Sequence, residues 1–381
     1  MSGLGRRISL QLLPREASAV GSPRQQILLS LSNQILGLIL LPTEACNFRC
    51  VYCYEEFKYK RMEPWVVRGV KGLMSRRAPG LTSLSVSWFG GEPLLALDVI
   101  DEVMIHAQSL RSANPPLRVT SDATTNGYLL TPSVLSRLLE LGVTNYQISF
   151  DGPREYHDRK RVLAGGKGTY DRIWENLVAA RGAKGAYHIM VRLHVDHENA
   201  EAIPRFIEEY RAAFGQDPRF ELFIRGLSRL GGPNDSNLRV FGKDEGPETI
   251  ERFRALARSR GLRVMVPGED DAVCYAARAN SFVVRANGRL NKCTVALEHP
   301  NNQVGGLKED GTVDLLPQKM MMWMRGLKSE DPGELGCPMN GYADPIPAVA
   351  SDGGGLTLGS RAVVLQAGPP PGTIGCEKAI G

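Results

Sequence analysis

Along the chain, short apolar and β-branched runs alternate with longer segments whose apolar positions return every three or four residues. The runs lie at 35–41, 84–89, 117–124, 143–150, 187–195 and 219–224. Segments of helical spacing lie at 64–77, 95–110, 132–141, 170–181, 200–214 and 248–260. Strict alternation predicts parallel strands covered by helices, because a parallel pair needs a crossover long enough for a helix. An α/β fold of six units follows. A flat doubly wound sheet and an incompletely closed barrel both satisfy the pattern.

Beyond residue 263 the alternation stops. Residues 281–293 read as a β-hairpin in which Asn287-Gly288 supplies the positive φ values of a type I′ turn. Residues 1–33 show no clear period and read as a loosely attached N-terminal extension. Residues 345–381 are rich in Gly and Pro and read as a tail without regular structure. The expected division is an extension at 1–33, the six-unit domain at 34–262, a small hairpin-containing domain at 263–344 and the tail at 345–381.

Composition adds mainly exclusions. The formal net charge of +5 is mild for 381 residues. Lys and Arg are scattered rather than gathered in a stripe, so no nucleic-acid partner is expected. No apolar run reaches the roughly 18 residues of a membrane span, and no signal-peptide pattern is visible. A cytoplasmic protein without membrane attachment is expected. Seven unevenly spaced cysteines argue for metal or redox chemistry rather than a disulfide framework.

Cys46, Cys50 and Cys53 fall in the loop after the first β-run, at the strand ends where parallel α/β folds gather their chemistry. Their C-x3-C-x2-C spacing matches neither a zinc knuckle nor a plant-type ferredoxin, and no fourth cysteine is near. A [4Fe–4S] cluster held by three thiolates would leave one iron open to an outside ligand. A structural zinc site and an incidental Cys-rich loop are the alternatives. Other strand ends carry small or polar groups: Gly90, Gly91 and Glu92 in Trp88-Phe-Gly-Gly-Glu-Pro93, Asn126 after Thr125, and Ser149 and Asp151 in Ser149-Phe-Asp-Gly-Pro153. Glycines allow close backbone approach, and Glu92 can accept from an ammonium. Each alone is equally an ordinary polar turn. Arg192, in the fifth run, would face the interior, where a guanidinium requires an anion.

CNFRCVYC, with Tyr52 before the last cysteine, and the Gly-Gly-Glu-Pro segment together resemble the signature of the radical S-adenosylmethionine superfamily. Asp151-Gly-Pro, His157-Asp158 and Arg161 resemble the pattern of its subfamily of sulfatase maturases and peptide-modifying enzymes. The resemblance covers residues 35 to about 260 and implies a partial (β/α)6 TIM-like barrel. It implies a [4Fe–4S] cluster on Cys46, Cys50 and Cys53 whose open iron is chelated by S-adenosylmethionine. Reduction by an external donor of flavodoxin or ferredoxin type would split the sulfonium and give a 5′-deoxyadenosyl radical that abstracts hydrogen from substrate. By the same resemblance Gly90, Gly91 and Glu92 bind the methionine amino group and Ser149 contacts the cofactor. Asn126, Asp151, Arg161 and Arg192 are further candidates.

Cys274, Gly288 and Cys293 resemble the start of a SPASM or twitch extension, which carries auxiliary [4Fe–4S] clusters. A full extension needs more thiols than Cys337 and Cys376 add. One auxiliary cluster on Cys274, Cys293 and Cys337 is therefore expected, with Cys376 as fourth ligand or that iron left open. The expected reaction is cross-linking, thioether formation, oxidation or epimerisation on a peptide or protein. Residues 1–33 are too short for the winged-helix module with which many such enzymes grip a leader peptide. The alternatives are a small-molecule substrate (a sugar, nucleoside or amino acid), including sulfur insertion from the auxiliary cluster, and a non-catalytic Fe–S electron carrier.

Overall fold

The computed structural model describes residues 22–265 and 272–340. Strands β1 (Ile35–Leu40), β2 (Ser83–Trp88), β3 (Arg118–Thr125), β4 (Val143–Phe150), β5 (His188–Val195) and β6 (Phe220–Gly226) lie side by side in sequence order, all parallel. The helices before residue 260 are α1 (Pro23–Leu31), α2 (Pro64–Arg77), α3 (Leu97–Ala113), α4 (Pro132–Glu140), α5 (Arg154–Lys160), α6 (Tyr170–Ala180), α7 (Ile203–Phe214) and α8 (Glu245–Ser259), and three short ones follow at Pro317–Trp323, Gly326–Ser329 and Pro332–Gly336.

The strand order decides between the two architectures left open by periodicity. A doubly wound sheet reverses at a switch point, which puts helices on both faces. Here every crossover steps the same way, and right-handed crossovers then place all the helices on one face. The sheet winds as a partial barrel, and the opposite face is left to line a cleft. The helix expected from residue 200 starts later, at Ile203, after a single 3-10 turn at Ala200–Ala202. Pro204 explains the shift: it lacks an N–H and sits comfortably only in the first helical turn.

Four more strands extend this sheet rather than forming another. They are β7 (Ser281–Val284), β8 (Arg289–Asn291), β9 (Gln303–Leu307) and β10 (Val313–Leu315). β7 pairs parallel with β1, Gly37 opposite Ser281 and Leu40 opposite Val284. The full order is β10-β9-β8-β7-β1-β2-β3-β4-β5-β6.

The hairpin of β7 and β8 forms as expected, but its turn is not type I′. Gly288 has φ +80°, whereas Asn287 is not among the residues of positive φ. Gly288 N–H donates to the Arg285 carbonyl at 2.9 Å, and Arg285 N–H donates to the Arg289 carbonyl at 3.0 Å. This is a type I turn closed by a glycine bulge. The turn packs on α2, where a Cβ on Gly288 would strike the Trp65 ring.

The described part of the N-terminal segment is not loosely attached. Ser22 and Gln25 close a capping box that starts α1. Ile27 packs among Val273, Ala277, Leu327 and Leu335. The carbonyls of Leu29 and Ser32 accept from Asn280 Nδ2 at 2.8 and 2.9 Å. The helix buries only Ile27 and Ser30, too few positions to print a period on the sequence.

One ion pair ties the hairpin to the loop after β1. Arg285 donates to both oxygens of Glu44 at 2.8 Å, and to Glu298 at 2.7 Å. Arg285 and Glu44 are each 2% exposed. Arg285→Met should cost about 3–5 kcal/mol, because it leaves a buried carboxylate without its partner. Chemical denaturation measures this, and a loss below about 1 kcal/mol, the size of a surface pair, would show that the pair does not hold the fold.

Candidate active site

The loop between β1 and α2 crosses the C-terminal ends of the strands. Its segment Phe48–Cys50 pairs antiparallel with Arg161–Leu163, which sets Cys50 opposite Arg161. Cys53 N–H then donates to the Cys50 carbonyl at 3.1 Å. Cys46, Cys50 and Cys53 are thereby turned into one open cleft. Of the other expected site residues, Gly90, Gly91, Asn126, Ser149, Arg161 and Arg192 line it, whereas Glu92 and Asp151 are not among its lining residues.

Glu92 is fully buried and serves as a brace. Its Oε1 accepts from Leu94 N–H at 3.0 Å and Thr125 Oγ1 at 2.7 Å, and its Oε2 accepts from Asn126 N–H at 2.7 Å. It therefore stitches the end of β2 to the end of β3. The two glycines before it let this rim close on the cysteine loop: Gly90 has φ +113°, and a Cβ on Gly91 would lie 2.5 Å from the Ala45 carbonyl. Asn126 Nδ2 donates to Asn47 Oδ1 at 2.8 Å and lies 4.0 Å from Cys46 Sγ.

Asp151 is also buried, behind the cleft wall. It accepts from Tyr52 Oη at 2.8 and 3.0 Å, and its Oδ1 lies 3.2 Å from His194 Nδ1. Arg161 Nη1 donates to Tyr52 Oη at 2.9 Å. Burial works against the Asp151 charge, but the His194 hydrogen bond, with Arg161 and His157 nearby, holds its carboxyl at about 2. Burial lowers both His157 and His194 to about 3, so both rings are neutral near pH 7. The cleft itself is faced by Tyr52, Arg161 and His194.

The donor set can be compared with the group it is expected to hold. Burial, with lesser contributions from neighbouring negative groups, pushes the Cys46 and Cys53 thiols up to about 12 and raises Cys50 as well. Such thiols lose their protons only to a strong cationic centre. Among the described residues, no group of three or more His, Cys, Asp and Glu side chains could hold a single metal ion. Three thiols spaced around a shared space suit a cluster instead, in which each of three irons takes one thiolate.

Cys274, Cys293 and Cys337 form a second group. All are buried, and the Cys293 thiol is pushed up to about 11, first by burial and further by Cys274 and Cys337. Asn302 Oδ1 accepts from the Cys293 and Lys292 N–H groups at 2.8 and 3.0 Å, which fixes the strand end that carries Cys293. Cys376 lies outside the described residues. Tyr54 follows Cys53 in the chain, and its phenol is raised first by burial and then by Glu55, with Cys293 and Cys53 adding to the rise.

Among the lining residues that the sequence reading missed are Glu55, His194 and Arg225. Glu55 follows the cysteine motif directly, and its Oε2 is buried without a hydrogen-bond partner. Arg225 stands at the end of β6, paired with His194 of β5. The sixth run was read as ending at 224, two residues before the strand ends at Gly226.

Comparison with known proteins agrees with this geometry. Residues 40–210 match the model of the Radical SAM superfamily. The chain is 25% identical over 213 residues to the cysteine-type anaerobic sulfatase-maturating enzyme of Clostridium novyi strain NT, covering 53% of this chain and 54% of that enzyme. It is 31% identical over 147 residues to a probable GTP 3′,8-cyclase of Methanocella arvoryzae, covering 39% of this chain and 44% of the other. The matched stretches thus span about half the length of these relatives. The structure of anSMEcpe with bound AdoMet and the Cp18Cys peptide aligns with a TM-score of 0.56 at 17% identity, over 75% of this chain and 80% of that one, a likeness of fold. No described helix is long and apolar enough to cross a membrane.

The neutral imidazoles give a pH signature. A histidine whose folded value is depressed stabilises above its unfolded value of about 6.5, and that contribution is lost as pH falls toward the folded value of about 3. Stability should therefore fall by about 1.4 kcal/mol per pH unit for each of His157 and His194 across this window. Denaturation midpoints of His194→Gln should show a shallower slope than wild type, and an unchanged slope would contradict the assignment.

Proposed function

We propose that this chain, whose residues 40–210 are a radical SAM domain, modifies a peptide or protein side chain by hydrogen abstraction. The supporting observation is the convergence of three thiols from one loop with Gly90, Gly91 and Asn126 on a single cleft. A [4Fe–4S] cluster with S-adenosylmethionine supplies, when bound, one-electron cleavage of the sulfonium and a carbon radical that abstracts hydrogen.

The remaining work belongs to the chain. Cys46, Cys50 and Cys53 are the proposed cluster ligands. Gly90 and Gly91 bring backbone to the cleft rim, and Glu92 keeps that rim rigid from behind. Asn126 and Ser149 offer the small polar contacts for the cofactor. Arg161, oriented by Tyr52 and Asp151, places positive charge beside Cys50. Cys274, Cys293 and Cys337 are the proposed ligands of one auxiliary cluster, with Cys376 a candidate fourth. An external one-electron reductant is part of the proposal. The sulfatase-maturating relative, and the neighbour solved with a peptide, support a peptide or protein substrate. The GTP 3′,8-cyclase relative supports a second reading, a small-molecule substrate.

Anaerobically reconstituted and reduced protein should convert S-adenosylmethionine to 5′-deoxyadenosine, and Cys50→Ala should make none. Iron should approach about eight per chain and fall to about four in Cys293→Ala, as two cubes predict. Full iron without 5′-deoxyadenosine would leave an electron carrier. Product formation that couples only to nucleotides, and never to a peptide, would select the second reading.

A further inference from the structure

A cluster reduced from outside needs a surface across which the electron enters, and one is built on the cysteine loop itself. Phe48–Cys50 and Arg161–Leu163 form a two-stranded ribbon of their own, apart from the ten-stranded sheet. Successive residues of a strand point to opposite faces. Phe48 is accordingly buried, Arg49 is exposed, and Cys50 turns back to line the cleft. One strand thus carries a proposed cluster ligand on its inner face and an exposed guanidinium on its outer face.

Three exposed cations belong to this ribbon or to its backbone neighbours. Arg49 Nη1 donates to the Cys46 and Phe48 carbonyls at 2.8 and 2.6 Å, which fixes its guanidinium against the loop. The carbonyl of exposed Lys167 accepts at 2.9 Å from the N–H of Leu163, the partner of Phe48. Exposed Arg159 precedes Lys160, whose carbonyl accepts from Val51 N–H at 2.9 Å. The carboxylates nearby are committed: Glu155 to Arg205, Asp171 to Arg154, and Asp158 to the Thr169 and Tyr170 N–H groups at 2.7 and 2.9 Å. Among the described residues none of the three cations enters an ion pair. Between Val162 and Lys167, the exposed Ala164-Gly165-Gly166 turn carries nothing larger than a methyl group, so another surface can come close. A small apolar strip flanked by positive charge complements a carrier whose cofactor shows an apolar edge among carboxylates. The dimethylbenzene edge of a flavin is such a group.

We propose that the outer face of this ribbon, with Arg49, Arg159 and Lys167, docks an acidic flavodoxin-type protein that supplies the electron. The carrier is oxidised by one electron and the cluster on Cys46, Cys50 and Cys53 is reduced by one; no covalent bond forms or breaks at the face. The proposal rests on the reading of this cleft as a radical SAM site.

Cluster-loaded protein is mixed anaerobically, in stopped flow, with a bacterial flavodoxin reduced to its hydroquinone or with reduced methyl viologen, and bleaching of the cluster absorbance is followed. Wild type should be reduced by both, and its rate with flavodoxin should fall as salt screens the exposed charges. The double variant Arg159→Glu with Lys167→Glu should slow reduction by flavodoxin about tenfold or more, because reversed charges repel an acidic partner. Its rate with methyl viologen, a reductant too small to need the face, should be unchanged, as should its iron content. Equal flavodoxin rates in wild type and double variant would overturn the proposal, and so would a flavodoxin that fails to reduce wild type. Equal slowing with both reductants would trace the effect to the cysteine loop instead of docking, and overturn it too. The expected pattern of reduction without 5′-deoxyadenosine from S-adenosylmethionine would sink the functional reading and leave the docking face standing.

Discussion

Glu44 and Arg285 meet out of water, and the placement of both thiol groups depends on that contact. Two buried charges repay their lost hydration only when the geometry is good and the remaining polar atoms are met. Here both guanidinium edges are used: Arg285 also donates to Glu298 and to the Leu297 carbonyl at 3.2 Å, and its plane lies 5.0 Å from the Tyr59 ring. Glu44 stands two residues before Cys46, and Arg285 in the turn that leads to Cys293. The pairing of β1 with β7 runs beside this contact. Glu44 and Arg285 therefore cross-link the loop that carries Cys46 to the hairpin that leads to Cys293.

The same economy of charge shapes the cleft. Glu92 and Asp151 stand at strand ends beside the cleft, yet both are buried and committed to its wall. Glu92 takes three donors from the ends of β2 and β3, and Asp151 takes Tyr52 and His194. A buried carboxylate with its lone pairs filled by fixed donors is a rigid strut rather than a free ligand. The cleft is accordingly lined by backbone at Gly90 and Gly91, by thiols, and by three arginines.

Much of the fold could be read from the chain. β4 and α2 have the expected limits, 143–150 and 64–77, because their apolar positions face one dense core and print a clear period. α1 escaped notice since it buries Ile27 and Ser30 only. The hairpin was legible from Asn287-Gly288, but its turn type was not, since Trp65, more than two hundred residues away in sequence, packs against the glycine. At the site, the cysteine loop and the Gly-Gly rim were legible because each is a contiguous motif. Arg225 and the Glu44–Arg285 pair were not, because each is defined by a partner on another element.

By itself the sequence determined the order of the strands and helices, the three-thiol loop at the end of β1, and the presence of a second set of cysteines. These follow from short-range spacing, which the chain carries whatever its surroundings. Tertiary structure alone decided that the later hairpin joins β1 as a strand of the same sheet, and that Glu92 and Asp151 turn inward. It also decided that Arg192 and Arg225 stand together. The reason is physical: desolvation and charge pairing depend on which groups are buried beside each other, and only the folded sheet brings those groups into contact.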